Sequence, residues 1–130
     1  MKHDQLISNV RKSTDLQSND EAERAIRATF ETLRERLARN EPINLAYQLP
    51  SKIADTLRGE GGRDNFSLEV FYQHVGEKEG VDQDVVSRHA RAVASVLQEA
   101  VTTGEMDDVR SQLKPEYAGL YGRYWPRIGE

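Results

Sequence analysis

Residues 18–37 read Ser18-Asn19-Asp20-Glu21-Ala22-Glu23-Arg24-Ala25-Ile26-Arg27-Ala28-Thr29-Phe30-Glu31-Thr32-Leu33-Arg34-Glu35-Arg36-Leu37, and this stretch decides the fold. Ser18 followed three residues later by Glu21 is a capping box, a helix-start signature. Ala22, Ala25, Ile26, Thr29, Phe30, Leu33 and Leu37 then recur at spacings of three and four, which puts them on one helical face. Asn40 and Pro42 end the segment.

The same pattern returns 64 residues later. Asp20, Arg24, Arg27, Ala28, Leu33, Glu35, Glu41, Gln48 and Leu49 coincide with Asp84, Arg88, Arg91, Ala92, Leu97, Glu99, Glu105, Gln112 and Leu113 without a gap. The apolar frame repeats as well. Ala22, Ile26, Phe30 and Leu37 fall on Val86, Ala90, Ala94 and Val101, and Leu45, Leu49, Ile53 and Leu57 fall on Val109, Leu113, Tyr117 and Tyr121. Upstream the offset becomes 65, pairing Leu6, Ile7 and Val10 with Phe71, Tyr72 and Val75. A one-residue change fits a loop, because inside a helix it would rotate the apolar face.

Working outward, the first copy is expected over about 4–58 and the second over about 66–121. The glycine-rich segment Arg58-Gly59-Glu60-Gly61-Gly62-Arg63-Asp64-Asn65 (59–65) serves as a linker, and 122–130 forms an aromatic tail. Each copy fits four helices. In the first these are about 4–12, the long helix capped by Ser18, a short one from Pro42 to Gln48, and one opened by Pro50 and running to about Arg58. In the second, Ser67 caps a helix that Gly80 stops, with Phe66 able to staple onto Phe71. Asp82 caps the long helix, which Gly104 closes. Met106 to Gln112 is short, and Pro115 opens the last. No segment alternates as a strand does. The fold class is therefore all-α, a single domain of two divergent repeats packed as one pseudo-two-fold helical bundle. A copy of some 55 residues is marginal by itself.

Composition agrees. Apolar residues make up 37% of the 130 residues, enough for a core, and charged residues 31%, enough to solvate one face of most helices. The net charge of -4 argues against nucleic acid and against polybasic membrane attachment. The absence of cysteine excludes disulfides, thiol chemistry and cysteine-based metal sites. Nothing near Met1-Lys2-His3-Asp4-Gln5 resembles a signal core, and no run approaches a transmembrane length, so the expected compartment is a reducing cytoplasm.

Ala25-Ile26-Arg27-Ala28-Thr29-Phe30-Glu31-Thr32-Leu33-Arg34-Glu35-Arg36-Leu37 followed by Gln48-Leu49-Pro50, with Arg88-His89-Ala90-Arg91-Ala92-Val93-Ala94-Ser95-Val96-Leu97 and Asp107-Asp108-Val109-Arg110-Ser111-Gln112-Leu113 in the second copy, resembles an uncharacterised bacterial family, domain of unknown function 2267. The likeness spans about Asp4 to Tyr121. Lys114-Pro115 departs from the Leu-Pro of the pattern, which shifts the start of the last helix by one residue. The resemblance implies a helical bacterial protein and supplies no activity, cofactor or catalytic residue.

Four arginines are the most suggestive side chains. Arg24 and Arg27, and their counterparts Arg88 and Arg91, sit at a spacing that shares a helix side, and symmetric packing would bring four guanidiniums to one anion. The plainer reading is pairing within the helix, as between Glu23 and Arg27, Glu31 and Arg34, and Glu35 and Arg39. His89 replaces Ala25 on the apolar stripe and reads as a partly buried histidine bonded to a neighbour, or else as a proton carrier. Histidine spacing supports no metal site. Glu99, Glu105, Asp107 and Asp108 read as acids favouring a helix start rather than as a cation site. Tyr121, Tyr124 and Trp125 form a candidate partner surface, or else a tail folded back on the second copy. No catalytic triad or phosphate loop is present in the sequence. The expected function is a non-enzymatic, cytoplasmic protein-interaction module without cofactor, its partner a second copy or an unidentified protein. The alternative is a small-anion or metabolite-binding protein with its site between the repeats.

Overall fold

The computed structural model describes residues 1–38 and 40–121. The first half forms α1 (His3–Lys12), α2 (Asn19–Arg36), α3 (Glu41–Ala46) and α4 (Ser51–Ala54), the last continued by a 3-10 turn, Asp55–Leu57. The second forms α5 (Leu68–Glu79), α6 (Gln83–Ala100), α7 (Thr103–Ser111), a 3-10 turn at Pro115–Tyr117 and α8 (Ala118–Tyr121). No strand occurs among the described residues, so the class is all-α. No helix among them is long and apolar enough to cross a membrane.

The two long helices, 18 residues each, are the frame. Ser18 caps α2 by accepting from the Glu21 N–H at 3.1 Å, while the Glu21 carboxylate reaches back to the Gln17 N–H at 3.2 Å. Thr102 caps α7 in the same manner. Gly80 ends α5 with φ +76°, a left-handed conformation that glycine adopts without strain. Two expectations shift. Gly104 lies inside α7 and does not close α6, because Val101 already turns extended and Thr102 starts a new helix. The fourth helix is only one turn plus a 3-10 turn.

Core side chains come from both halves. Leu6, Val10, Ile26, Phe30, Leu33, Phe71, Val75, Val86, Val93 and Leu97 are all buried in one cluster. Each large apolar side chain withdrawn from water contributes about 1.5–3 kcal/mol. α2 packs on α5 of the other half, α1 packs on α6, and the long helices touch each other. Polar ties cross the same seam. Gln48 Oε1 accepts from the Thr102 N–H at 2.8 Å, and Gln112 Oε1 accepts from the Ala38 N–H at 2.8 Å. Arg36, buried over the Tyr117 ring, donates to the carbonyls of Phe66 and Gln112.

The segment between the halves is docked along the end of α2. The N–H groups of Gly62, Arg63 and Asp64 donate to the carbonyls of Arg34, Leu37 and Glu35. This approach requires glycine, because a Cβ on Gly61 would lie 2.2 Å from the Leu37 carbonyl oxygen and 2.4 Å from that of Ala38. Gly61→Ala should therefore destabilise by about 1–3 kcal/mol. Gly104→Ala, where an added Cβ meets nothing within 4 Å, should leave stability unchanged or raise it by up to about 1 kcal/mol. Urea unfolding of both variants checks the contrast.

Candidate functional site

The arginines are not alike in their surroundings. Arg27 is half-buried, with Nε 3.4 Å from Glu23 Oε2 and Nη2 donating to the Lys52 carbonyl at 2.8 Å, so the intrahelical pair expected from spacing is formed. Arg24 is exposed. Both line an open groove of about 420 Å³ between α2 and Lys78 of α5, together with Asp20, Glu23, Ala28 and Glu31. Arg88 and Arg91 do not line that groove. Arg88 lies 3.4 Å from Asp15, in the loop after α1. Arg91 sits near Tyr72, whose hydroxyl burial pushes up and whose shift the arginine charge opposes.

His89 is buried, 4% exposed, and bonded to a neighbour. That neighbour is Glu79, 2% exposed, with its Oε2 2.6 Å from His89 Nδ1. α5 and α6 lie side by side, and their registers bring these residues together ten positions apart. Burial pushes the Glu79 carboxyl above the usual carboxylate range, and His89 and Arg24 pull it back only in part. His89 Nε2 lies 3.9 Å from Asp15, so the loop of the first half reaches this pair too.

A second polar cluster lies where α3 meets α7. Glu41 opens α3, is 7% exposed, and accepts from Gln112 Nε2 at 2.6 Å through Oε1. Its Oε2 is buried without a hydrogen-bond partner, as is Oε1 of Glu105. Oxygens of Glu41, Glu105 and Asp108 all lie within 4.8 Å of one another. Burial first, then Glu41 and Asp108, push Glu105 up to about 8. Sequence reading put Glu105 and Asp108 on a helix start and missed Glu41, which is far away in the chain. The available signal was the 64-residue register, which lays Glu41 on Glu105.

The aromatic surface needs correction. Tyr121 is in the core, 3% exposed, because the register of the last helix carries it one turn beyond the buried Tyr117. Tyr124 and Trp125 lie outside the described residues. Instead Tyr47, after α3, is 84% exposed. Its register partner is Ser111, itself exposed, and a polar residue at that place signals a surface position.

A family model described as "Uncharacterized conserved protein (DUF2267)" matches residues 3–120. A search of curated proteins finds no match. The matched span takes in all four arginines, the Glu79–His89 pair, Tyr47 and the carboxylate cluster.

Within that span, removing one member of a buried hydrogen-bonded pair leaves the other without a partner. His89→Leu should destabilise by about 1–3 kcal/mol, and adding Glu79→Leu should recover most of that loss, because an apolar pair can replace a buried polar one. Chemical denaturation of the single and double variants reads this directly, and equal losses in both would contradict it.

Proposed function

The chain belongs to the DUF2267 family of uncharacterized conserved proteins, and we propose that it is a non-enzymatic helical module that acts by binding protein, first of all a second copy of itself. The observation that carries this reading is Tyr47. Met1 and Tyr47 are the exposed large hydrophobic residues among those described, and only Tyr47 is held next to a fixed strut, the Gln48 bond to Thr102. A tyrosine so placed offers a large, stiff apolar ring with a polar tip, a combination favoured at the centres of protein interfaces. Tyr124 and Trp125 are kept in the proposal as further aromatic contacts.

The side chains nearest to catalytic types are occupied within the fold, which favours a binding role. His89 is held by Glu79, and Lys78 donates to Thr32 and to Glu35. The proposal also takes the halves as divergent copies about an approximate two-fold axis. The reciprocal bonds of Gln48 to residue 102 and of Gln112 to residue 38, each pair 64 apart, support that relation. The cysteine-free composition supports a bacterial cytoplasm as the compartment.

Sedimentation equilibrium tests the reading. The full chain should show a concentration-dependent dimer, and Tyr47→Ala should weaken it by at least about tenfold, the loss of roughly one interface anchor. A monomer at every concentration, or a dimer indifferent to Tyr47→Ala, would overturn it.

One observation favours a second reading, anion binding. The groove that holds Arg24 and Arg27 is closed on its other side by Lys78, so cations of both halves line it. Inorganic phosphate should then raise the melting temperature, Arg24→Ala should abolish the rise, and Arg88→Ala should leave it intact. A rise that survives Arg24→Ala places the anion elsewhere.

A further inference from the structure

The meeting of α3 and α7 goes beyond both of those readings. Three carboxylates converge there, and the described residues place no lysine or arginine in ion-pair contact with any of them. Among the described residues the side-chain donor is neutral, the Gln112 amide on Glu41 Oε1. Glu41 is more than nine-tenths buried, and its second oxygen has no partner, as is true of Oε1 of Glu105. Buried acceptors of this kind are almost always satisfied in folded proteins, so two that face each other ask for a shared proton or a ligand between them. The starts of α3 and α7 offer at most about half a positive charge each, too little for three carboxylates.

We infer that Glu41, Glu105 and Asp108 bind one hard divalent cation, calcium foremost, on the seam between the two halves. An all-oxygen set of carboxylates selects hard cations over zinc or copper. The oxygens lie within 4.8 Å of one another, close enough to share one ion. Calcium accepts irregular sets of oxygens, whereas magnesium demands a near-ideal octahedron and sheds its waters reluctantly, so carboxylates supplied by two helices favour calcium. Asp108 is exposed, which gives the ion an entrance and leaves positions open for water. The repulsion that raises Glu105 is the same force a cation would relieve, so a shared proton and an ion compete for one place. A bound ion would clamp α3 of the first half to α7 of the second.

The test uses the full chain freed of metal with a chelator. Isothermal titration with calcium chloride should show one site per chain with a Kd of roughly 0.1–1 mM, the weak end of the range for oxygen-ligated calcium. Millimolar calcium should also raise the melting temperature, since binding to the native state alone stabilises it. Glu105→Gln and Asp108→Asn should each weaken binding by at least about tenfold, whereas the exposed Glu99→Gln should leave it unchanged. Asp108→Asn alters only an exposed side chain, so it carries the test if Glu105→Gln does not fold. Absence of heat and of any melting shift with calcium, magnesium or manganese chloride overturns the site. Binding that survives Asp108→Asn also overturns it. Tighter binding of magnesium than of calcium overturns the choice of ion. A stabilising Glu105→Gln in a protein that binds none of the ions shows a pair that only shares a proton, which overturns the proposal as well.

Discussion

The exchange of helix faces between the halves governs this molecule. α2 carries a stripe of Ala22, Ala25, Ile26, Phe30 and Leu33, and α6 a matching stripe of Val86, Ala90, Val93 and Leu97, all of it buried. Each long helix has the first helix of its own half on one side and the first helix of the other half on another. A core of this kind belongs to neither half, and pulling the halves apart would return both stripes to water at about 25 cal/mol per Å² of apolar surface. The chain between the halves is constrained accordingly. It runs against the last turn of α2, where backbone meets backbone and a side chain at Gly61 has no room.

Polar groups on the seam follow from the same arrangement. Glutamines suit the seam, because each can accept a backbone hydrogen bond from the other half, as Gln48 and Gln112 do. Carboxylates do not suit it, because like charges meet. Glu41 and Glu105 occupy equivalent positions in the 64-residue register and face each other with Asp108 beside them. Brought together between α3 and α7, the two acids repel each other. A proton or a cation is the available remedy, and the two are exclusive.

Much of the fold was legible in the sequence because it rests on periodicity and capping. The stripe of residues 22–37, the Ser18 cap and the Gly80 stop all appear as read, since each depends on near neighbours in the chain. What failed depends on tertiary approach. Glycines at 59, 61 and 62 read as breakers, yet at Gly61 and Gly62 the deciding factor is the closeness of the carbonyls of Glu35, Leu37 and Ala38 at and just beyond the end of α2. Gly104 read as a stop but sits in the first turn of α7, where the Thr102 cap outweighs glycine's poor propensity. Spacing grouped Arg24 with Arg27 correctly, and it could not tell that only this pair lines a groove with Lys78. The Glu41–Glu105 contact joins residues 64 apart, beyond any local signal, although the register held it.

The Glu79–His89 pair is a buried polar contact inside a packed corner. At the sequence offsets of 64 and 65 residues His89 falls on Ala25 and Glu79 on Thr14, whose hydroxyl bonds to the Val10 carbonyl. A buried pair adds little net stability over an apolar replacement, because desolvation offsets attraction. What it adds is a penalty on every packing that leaves either member alone. α5 can slide or rotate on α6 only by separating Glu79 from His89, and Asp15 lies close enough to His89 and Arg88 to tie the loop of the first half into the same condition. The contacts of Glu79 and Asp15 with His89 therefore favour one register of α5 on α6 over its neighbours.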